Sequence, residues 1–294
     1  MKLIAFARNA GDRRLGVLDG DLIVDITDSH GDDPLAADLA RLDLAGAPRE
    51  EASGVRVLAP IPRPGKLICV GLNYHDHCRE QGIEPPAYPM LFSKFANAVA
   101  NPGDTVVRPR ATEKLDLECE LAVVIGSRAK SIGPGEALEC VFGYTILNDV
   151  TMRDLQREDR QWLRAKGSDG FAPMGPVIVT RDEIGDPQRL RVRSSVNGET
   201  WQDSTTAEMV FDVATIVAFV SRTITLEPGD VIATGTPAGV GHYQSPPRYL
   251  ADGDLMRCEI EGIGVLENRV VDEVPRTDDH EAAAGVAELL GLTR

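Results

Sequence analysis

The sequence predicts an α+β fold that is mainly β, because short strand-like segments dominate the chain and helical patterns are few. These segments run for about four to eight residues, are rich in β-branched residues and are bounded by turn residues. They do not alternate regularly with helices, and no GxGxxG motif follows a strand, which argues against a doubly wound Rossmann sheet. The main expected strands are residues 67–70, 119–125, 142–148, 176–180, 190–196, 230–234 and 254–260.

A proline-rich segment divides the chain into two predicted domains. Pro60, Pro62 and Pro64 fall within five residues, and such a run continues neither a helix nor a strand. We therefore expect a small amino-terminal α+β domain over residues 1–62, a larger domain over 63–275 and a carboxy-terminal helical tail over 276–294. Helical patterns are expected at residues 35–44, 151–164, 206–221 and 278–290.

The overall charge and hydrophobicity argue against two broad classes of function. The 294 residues include 46 Asp plus Glu against 31 Lys plus Arg, a formal net charge of −15, which disfavours a nucleic-acid surface. The longest apolar runs, such as residues 121–125 and 216–220, are far shorter than a membrane-spanning helix. The start lacks the apolar segment of a signal peptide, and the five cysteines form no CxxC pair. These features predict a cytoplasmic protein with reduced thiols.

Acidic side chains at the start of one predicted strand form the first candidate site. Within residues 115–126, acidic and apolar residues alternate, which directs Asp116, Glu118 and Glu120 to one strand face. Carboxylates crowded on one face repel one another unless they are solvated, protonated or bridged by a cation. A solvated strand face and a metal site therefore both fit this segment.

A further acid, Asp149, ends the apolar segment at residues 144–148. If a helix starts there, Asp149, Arg153 and Gln156 lie on one face by i, i+4 and i+7 spacing. An N-capping Asp beside a solvated Arg is the alternative. Together with Glu118 and Glu120, Asp149 would give Mg²⁺ or Mn²⁺ three oxygen ligands and leave positions open for water and a bidentate substrate.

His77 and Glu80 form a candidate catalytic pair. At i, i+3 spacing on a helical turn, the imidazole can hydrogen-bond to the carboxylate, which would orient the imidazole as a general base. His75 cannot share that helical face, so at most one of the two histidines is expected to be catalytic. An ordinary surface contact is the alternative interpretation of the pair.

Six motifs occur in order along the chain: GLNYxxHxxE, LDxExELAVVIG, NDVTxRDxQ, GFAPMGP, VNGE and LEPGDVIATGTPAGVG. Together they resemble the fumarylacetoacetate hydrolase family, from about Lys66 to Val271. The segment GVGHYQSPPRYLADGD is similar to the branch that acts on oxaloacetate, acylpyruvates and related oxo-diacids. The resemblance implies a mixed β-sheet roll or barrel that forms a catalytic domain over residues 63–275, preceded by the small amino-terminal domain.

The resemblance also implies which residues bind metal and which activate water. Glu118, Glu120 and Asp149 match the family's metal ligands, so Mg²⁺ or Mn²⁺ is the implied cofactor. His77 and Glu80 match a water-activating dyad that is carried on a lid over the substrate.

The remaining matched residues would contact the substrate. Arg153 and Gln156 match groups that line the substrate site, and Lys166 matches a catalytic lysine that stabilises developing negative charge. Thr236 matches a threonine that contacts the substrate carboxylate.

The implied substrate is a small 2-oxo carboxylate that chelates the metal, so that an enolate is stabilised. The dyad favours metal-dependent hydrolysis of a C–C bond in a 2,4-dioxo acid of the acylpyruvate or fumarylpyruvate type. Oxaloacetate decarboxylation or keto–enol tautomerisation stays open as an alternative. So do isomerisation or decarboxylation of a 2-oxo-heptenedioate from aromatic degradation, and a non-catalytic binding protein. Family analogy also implies a homodimer.

Overall fold

The structure is a computed structural model that describes residues 1–42, 44–158 and 160–274. The predicted carboxy-terminal tail over residues 276–294, with its helix at 278–290, lies outside the described residues. Within the described ranges, no helix is long and apolar enough to cross a membrane.

Strands dominate the described chain, as the sequence predicts. Each strand that we expected in the second domain is present, and the one expected at residues 176–180 begins earlier, at Ala172. In chain order the strands are β1 (Lys2–Ala7), β2 (Arg13–Asp19), β3 (Leu22–Asp25), β4 (Arg49–Glu51), β5 (Arg56–Leu58), β6 (Leu67–Gly71), β7 (Met90–Lys94), β8 (Val99–Ala100), β9 (Thr105–Arg108), β10 (Leu115–Asp116), β11 (Cys119–Ile125), β12 (Val141–Asn148), β13 (Thr151–Met152), β14 (Ala172–Thr180), β15 (Arg191–Val196), β16 (Glu199–Thr205), β17 (Val231–Ala233), β18 (Leu255–Ile260) and β19 (Gly264–Asp272).

The strands form a 12-stranded mixed sheet, a 5-stranded sheet and a 2-stranded ribbon. The large sheet has the order β4-β3-β2-β1-β14-β12-β11-β17-β6-β7, with β5 paired to β1 and β8 paired to β14. The smaller sheet has the order β16-β15-β18-β19-β9, and β10 pairs with β13 in the ribbon. The mainly β fold with mixed sheets is confirmed, and the sheets do not close into a barrel within the described ranges.

The amino-terminal strands extend the large sheet. β1 lies antiparallel to β14, with Lys2 opposite Val179 and Leu3 opposite Ile178. The terminal ammonium of Met1 donates to the Thr180 hydroxyl at 2.6 Å, at the end of the same strand. The division of the chain at residues 62 and 63 stays a prediction.

The central strand β11 is buried on both faces. Leu121, Val123 and Ile125 pack into one apolar cluster, whereas Ala122 and Val124 pack into a second cluster on the opposite face. A strand that is apolar on both faces is typical of the middle of a covered sheet. This packing fixes the position of the acidic residues at the amino-terminal end of β11.

Helices are short and lie between the strands. The α-helices are α1 (Thr27–His30), α2 (His75–Gln81), α3 (Pro134–Ala137), α4 (Arg153–Glu158), α5 (Trp162–Lys166), α6 (Arg181–Ile184) and α7 (Val213–Ser221). Turns of 3₁₀ helix occur at Leu39–Arg41, Ala52–Gly54, Ala96–Ala98, Leu138–Cys140, Thr206–Glu208 and Gly241–Tyr243.

Two expected helices are wrong in their extent. The helix expected at residues 206–221 is α-helical only in α7, because the Asp212 side chain accepts a hydrogen bond from Thr215 N–H at 2.7 Å and caps the first turn there. The helix expected at residues 35–44 is reduced to one 3₁₀ turn at Leu39–Arg41. Its leucines are partly buried and pack against the core.

The helix expected at residues 151–164 is also wrong, because its first residues join a strand pair. Thr151 and Met152 form β13, which pairs with β10, and α4 and α5 follow as separate helices. Asp149 therefore lies in the connection before β13 and does not share a helix with Arg153 and Gln156.

Candidate active site and metal centre

Three acidic side chains converge at one end of the two central strands. Glu118 immediately precedes β11, Glu120 lies within it, and Asp149 directly follows β12. The register places Cys119 opposite Asn148, and Asp149 N–H donates to the Glu118 carbonyl at 2.9 Å. One carboxylate oxygen from each acid lies within 4.8 Å of the others, and all three residues are buried. Antiparallel pairing of β11 and β12 therefore brings together acids that are far apart in the chain.

Two buried lysines from different elements lie against these carboxylates. Lys166 ends α5, and its Nζ donates to Glu118 Oε2 and Asp149 Oδ2, each at 2.7 Å. It also donates to Thr151 Oγ1 at 2.8 Å. Lys94 ends β7 and places Nζ 2.6 Å from Asp149 Oδ1. Because both ammonium groups are buried, water screens their charges only weakly.

Arg153 connects this cluster to a fourth buried acid, Asp116. Arg153 Nη2 forms an ion pair with Glu118 Oε1 at 2.6 Å, and its Nε donates to Asp116 Oδ2 at 2.9 Å. Asp116 also accepts N–H groups from Gly241 at 2.9 Å and from His242 at 3.0 Å. Strand pairing stops after Asp116, so its carboxylate faces Arg153 and the loop that contains Gly241 and His242. The predicted placement of Asp116 beside Glu118 and Glu120 in the acidic cluster is therefore wrong.

The two strand glutamates have opposite electrostatic environments. Burial raises the pKa of the Glu118 carboxyl, but the charges of Arg153 and Lys166 outweigh burial and hold this pKa below its ordinary value. Burial raises the pKa of Glu120 well above its ordinary value, and repulsion by Asp149 and Glu118 adds to the effect. Glu120 is therefore the acid in the cluster whose ionised form most needs another cation.

The donor set fits a hard divalent cation. Asp149 Oδ1 is buried 2.6 Å from the Lys94 ammonium, and no other group in the described ranges donates a hydrogen bond to it. A carboxylate oxygen has a second lone pair that can coordinate a metal ion, and Mg²⁺ and Mn²⁺ prefer oxygen ligands. Glu118, Glu120 and Asp149 are the residues that could hold such an ion.

Gly235 brings a backbone donor to the least compensated acid. Its N–H donates to Glu120 Oε2 at 2.9 Å, and its φ of +99° favours glycine. A Cβ at this position would lie 2.8 Å from Asn73 Cβ and 3.0 Å from the Val70 carbonyl oxygen, so the close approach requires glycine.

His77 lies on α2 and lines the pocket beside the carboxylates, and Glu80 lies behind it. His77 Nδ1 and Glu80 Oε2 are 2.8 Å apart, which is the hydrogen bond that the i, i+3 spacing predicts. Glu80 Oε1 accepts the Gly239 N–H at 2.8 Å, which fixes the carboxylate. His77 is buried and His75 is exposed, so the two histidines differ as expected from the helical pattern.

Two residues that the sequence analysis missed contact the other side of the His77 ring. Gln81 Nε2 lies 2.8 Å from His77 Nε2, and the Tyr243 hydroxyl donates to Gln81 Oε1 at 3.0 Å. Gln81 follows His77 by one helical turn, and this i, i+4 spacing is a signal that could have identified it. Tyr243 and Lys94 come from distant segments, and no local pattern points to them.

The predicted substrate-binding residues line the same pocket. Arg153 and Gln156 lie one turn apart on α4, with Arg153 Nη1 donating to Gln156 Oε1 at 3.3 Å. The Thr236 hydroxyl donates to the Cys119 carbonyl at 3.1 Å and accepts from Gln202 Nε2 at 2.7 Å. Its proton is already used within the protein, so its expected contact with a substrate carboxylate stays a prediction.

Most of these side chains surround one pocket with a volume of about 220 Å³, whereas Lys94 and Asp116 contact its lining residues from outside. Every predicted site residue lines the pocket except Glu80, which lies outside it and hydrogen-bonds to His77. Apolar side chains complete the walls, namely Val70, Leu72, Phe92 and Trp162. The arrangement can bind a small anionic ligand between an acidic wall and buried cations.

Comparison with known proteins identifies the family. Residues 66–271 match the family model described as Fumarylacetoacetate (FAA) hydrolase C-terminal. The chain belongs to the fumarylacetoacetate hydrolase family. The resemblance that the six motifs carry is thereby confirmed. The chain is also 48% identical over 226 residues to "Oxaloacetate tautomerase FAHD2A, mitochondrial" of Bos taurus, which covers 76% of this chain and 71% of that protein.

Solved structures of this family have the same fold. A fumarylacetoacetate hydrolase from the psychrophile Exiguobacterium antarcticum is 46% identical, with a TM-score of 0.85 over 93% of this chain and 100% of that chain. Maleylpyruvate hydrolase from Sphingobium sp. SYK-6, in complex with manganese(II) ion and pyruvate, is 32% identical, with a TM-score of 0.78 over 93% of this chain and 100% of that chain. These family members are enzymes whose names give different reactions.

Proposed function

We propose that this chain is a divalent-metal-dependent enzyme that interconverts the keto and enol forms of a short 2-oxo diacid such as oxaloacetate. The observation that carries the proposal is a small pocket with three carboxylates on one wall and buried cations, Lys166 and Arg153, beside them. The 48% identity to a bovine protein named oxaloacetate tautomerase supports the same substrate class.

The size of the pocket favours a short substrate. Its volume of about 220 Å³ is below the range of about 300–1,000 Å³ that is typical for drug-sized ligands. Oxaloacetate is a compact molecule that suits such a pocket. Pocket size therefore favours small oxo acids over drug-sized ligands.

Residues of the chain itself would bind the substrate and stabilise its enolate. A divalent cation held by Glu118, Glu120 and Asp149 would act as a Lewis acid toward the oxo acid. Burial lowers the pKa of Lys166, but Asp149 and Glu118 raise it by more, so its pKa lies above the ordinary value and the ammonium stays charged. The three N–H groups of Lys166 donate to Glu118, Asp149 and Thr151, so Lys166 would stabilise the negative charge of an enolate through its own positive charge.

Hydrolysis of a C–C bond in a 2,4-dioxo acid is the second candidate, and the buried pair of His77 and Glu80 favours it. With Nδ1–H directed to Glu80, a neutral His77 presents its Nε2 lone pair, as a general base requires. That lone pair lies 2.8 Å from Gln81 Nε2, so an amide donor already occupies it. For this reason we rank tautomerisation above hydrolysis, which reverses the order that the motifs favour.

Parallel assays in Mg²⁺ or Mn²⁺ test the ranking. We expect rapid turnover of oxaloacetate and slower cleavage of acetylpyruvate and fumarylpyruvate. A chelator should abolish both activities, and either ion should restore them. Metal-dependent cleavage without oxaloacetate turnover would reverse the ranking, and a titration showing no divalent-metal binding would favour a non-catalytic protein.

Two variants separate the reactions. His77→Ala should lower cleavage by about 10²–10⁴-fold, the usual contribution of general-base assistance. It should lower enolisation by a smaller factor, because solvent in the pocket can also take the proton from carbon 3. Glu118→Ala is the control that should abolish both activities. Equal loss of both activities in His77→Ala would mean that His77 orders the pocket and does not activate water.

Assembly and location rest on the sequence and on family analogy. We propose a homodimer that acts on a small 2-oxo carboxylate, without a nucleic-acid or membrane partner. The word mitochondrial in the name of the bovine relative describes that protein. A cytoplasmic location for this chain stays a prediction, which imaging of the tagged protein in its own cells would test.

A further inference from the structure

Gln81 occupies the position from which His77 could activate a water molecule. His77 Nδ1 lies 2.8 Å from the Glu80 carboxylate, which only accepts, so Nδ1 carries the hydrogen. The neutral ring then has one lone pair, on Nε2, and Gln81 Nε2 lies 2.8 Å from it. An amide nitrogen only donates, so Gln81 fills this lone pair.

Tyr243 fixes the orientation of the Gln81 amide. Its hydroxyl donates to Gln81 Oε1 at 3.0 Å, which leaves the amide NH₂ facing His77. Rotating the amide by half a turn would place its oxygen against the Nε2 lone pair, and two acceptors repel each other. The Tyr243 ring also packs edge-on against His77, with 5.7 Å between the ring centroids. All three side chains line the pocket, so this contact lies at the substrate site.

We propose that Gln81, held by Tyr243, determines which reaction the site favours, because it keeps water away from His77 Nε2 and so suppresses hydrolysis. A general base must lie within about 2.6–3.2 Å of the water oxygen, and Gln81 already occupies that distance from Nε2. Lys166 and Arg153 would stabilise an enolate from other elements, whereas the hydrogen bonds of the Gln81 side chain go to His77 and Tyr243. The inference rests on the proposed function in one respect, that a 2-oxo acid binds in this pocket.

The reaction that Gln81 would suppress is hydrolysis of the bond between carbons 3 and 4 of a 2,4-dioxo acid. In hydrolysis, His77 Nε2 would take a proton from water as the water oxygen bonds to carbon 4 of the 2,4-dioxo acid. The bond between carbons 3 and 4 then breaks, and its electron pair passes into the enolate. His77 returns the proton to carbon 3. Keto–enol interconversion moves a proton from carbon 3 to the 2-oxo oxygen, which solvent in the pocket can carry, and no water oxygen bonds to the substrate. Hydrolysis needs a water molecule held at His77 Nε2, so an occupied Nε2 obstructs hydrolysis more than tautomerisation.

Two substitutions release the lone pair in different ways. Gln81→Met keeps a similar length and removes the donor, and Tyr243→Phe keeps the ring and removes the hydroxyl that orients the amide. Tyr249→Phe is the matched control, because its hydroxyl contacts His242 Nδ1 at 2.8 Å and does not contact His77. We expect the ratio of acetylpyruvate cleavage to oxaloacetate turnover to rise about 2–10-fold in both variants, the range that corresponds to one net hydrogen bond, and to stay at the wild-type value in Tyr249→Phe.

A second readout needs no substrate. In protein labelled with ¹⁵N in its five histidines, His77→Ala identifies the His77 ring resonances. Gln81→Met should shift the Nε2 resonance, and Tyr249→Phe should leave it unchanged. An unchanged ratio of cleavage to oxaloacetate turnover in both variants would overturn the proposal, as would equal loss of both activities in Gln81→Met, which would make Gln81 a positioning residue. If wild type fails to turn over oxaloacetate and cleavage still rises in both variants, the proposed function fails and the role of Gln81 stands.

Discussion

Replacing Glu120 with Gln should stabilise the metal-free protein, although it removes a carboxylate from the candidate metal site. Ligand oxygens of Glu118 and Asp149 lie within 4.8 Å of Glu120, and Lys166 hydrogen-bonds to those two acids and not to Glu120. At 4.8 Å and an effective dielectric constant of about 20, each repulsive pair costs about 3.5 kcal/mol. Nearby cations and protonation of Glu120 offset much of this, so we expect Glu120→Gln to stabilise the fold by about 1–3 kcal/mol.

Glu118→Gln is the matched control and should have the opposite effect. Glu118 is paired with Arg153 and Lys166, and its neutralisation would leave both cations buried with weaker compensation. Breaking a buried ion pair in this way typically costs about 3–5 kcal/mol. The two substitutions are chemically identical and lie two residues apart, so the opposite signs of their effects on stability report the local charge balance.

Thermal unfolding with and without Mg²⁺ is the assay. Metal at about 100 times its dissociation constant should stabilise wild type by about 2.7 kcal/mol, and a chain of 294 residues shifts its Tm by about 1.6 °C per kcal/mol. Glu120→Gln should therefore melt about 2–5 °C above metal-free wild type and lose most of the response to Mg²⁺.

The pH dependence of this gain has a defined sign. Folding raises the pKa of Glu120, so wild type loses stability as the pH rises above the ordinary carboxyl range and Glu120 must ionise. The gain from Glu120→Gln should therefore vanish below about pH 4 and grow toward neutral pH. A variant that is less stable than metal-free wild type, or that keeps the full response to Mg²⁺, would refute this reasoning.

Three further predictions concern other contacts of the site. Asp116→Asn should raise the KM for oxaloacetate more than it lowers kcat, because a neutral amide binds Arg153 more weakly; an unchanged KM in steady-state assays would count against this. Lys94→Met should lower the free energy of unfolding in urea by about 3–5 kcal/mol, because Asp149 and the carbonyls of Val150 and Phe171 would lose their partner. A much smaller loss would mean that Lys166 alone compensates Asp149. Sedimentation at micromolar concentration should show a homodimer, and a stable monomer would contradict the family analogy.

The central strands could be predicted from the sequence because burial on both faces leaves a continuous apolar run. The strand expected at residues 119–125 has the bounds of β11. Strands with mixed composition were missed, such as β16 and β19, because polar residues interrupt their buried ones and leave no continuous apolar run, although each pairs with the strand just before it. The helix expected at residues 151–164 failed for a related reason, since pairing with β10 overrides the local helical pattern.

Glu118, Glu120 and the contact between His77 and Glu80 could be predicted because each depends on spacing within a short motif, whereas Asp149 joins the glutamates through the pairing of β11 with β12. Lys94 and Tyr243 could not be predicted, because they reach the site only through sheet pairing and loop packing. Asp116 was assigned to the wrong neighbours, since alternation assumes a continuous strand and the pairing stops between β10 and β11. The pKa values of Glu118 and Glu120 shift in opposite directions because only Glu118 lies against Arg153 and Lys166. Such compensation between buried charges depends on tertiary structure.

The site consists of two walls that differ in how the fold supports them. Glu118 and Glu120 are fixed by β11, which is buried on both faces, so this wall serves every enolate reaction that the pocket could support. His77 and Gln81 lie on the single short helix α2. Tyr243 lies in a distant 3₁₀ turn, and its hydroxyl donates a hydrogen bond to Gln81. Substitutions in the strand wall should therefore remove all activities together. Substitutions in the wall formed by α2 and Tyr243 should instead change the ratio of tautomerisation to hydrolysis, because they alter access to one lone pair and leave the charges unchanged.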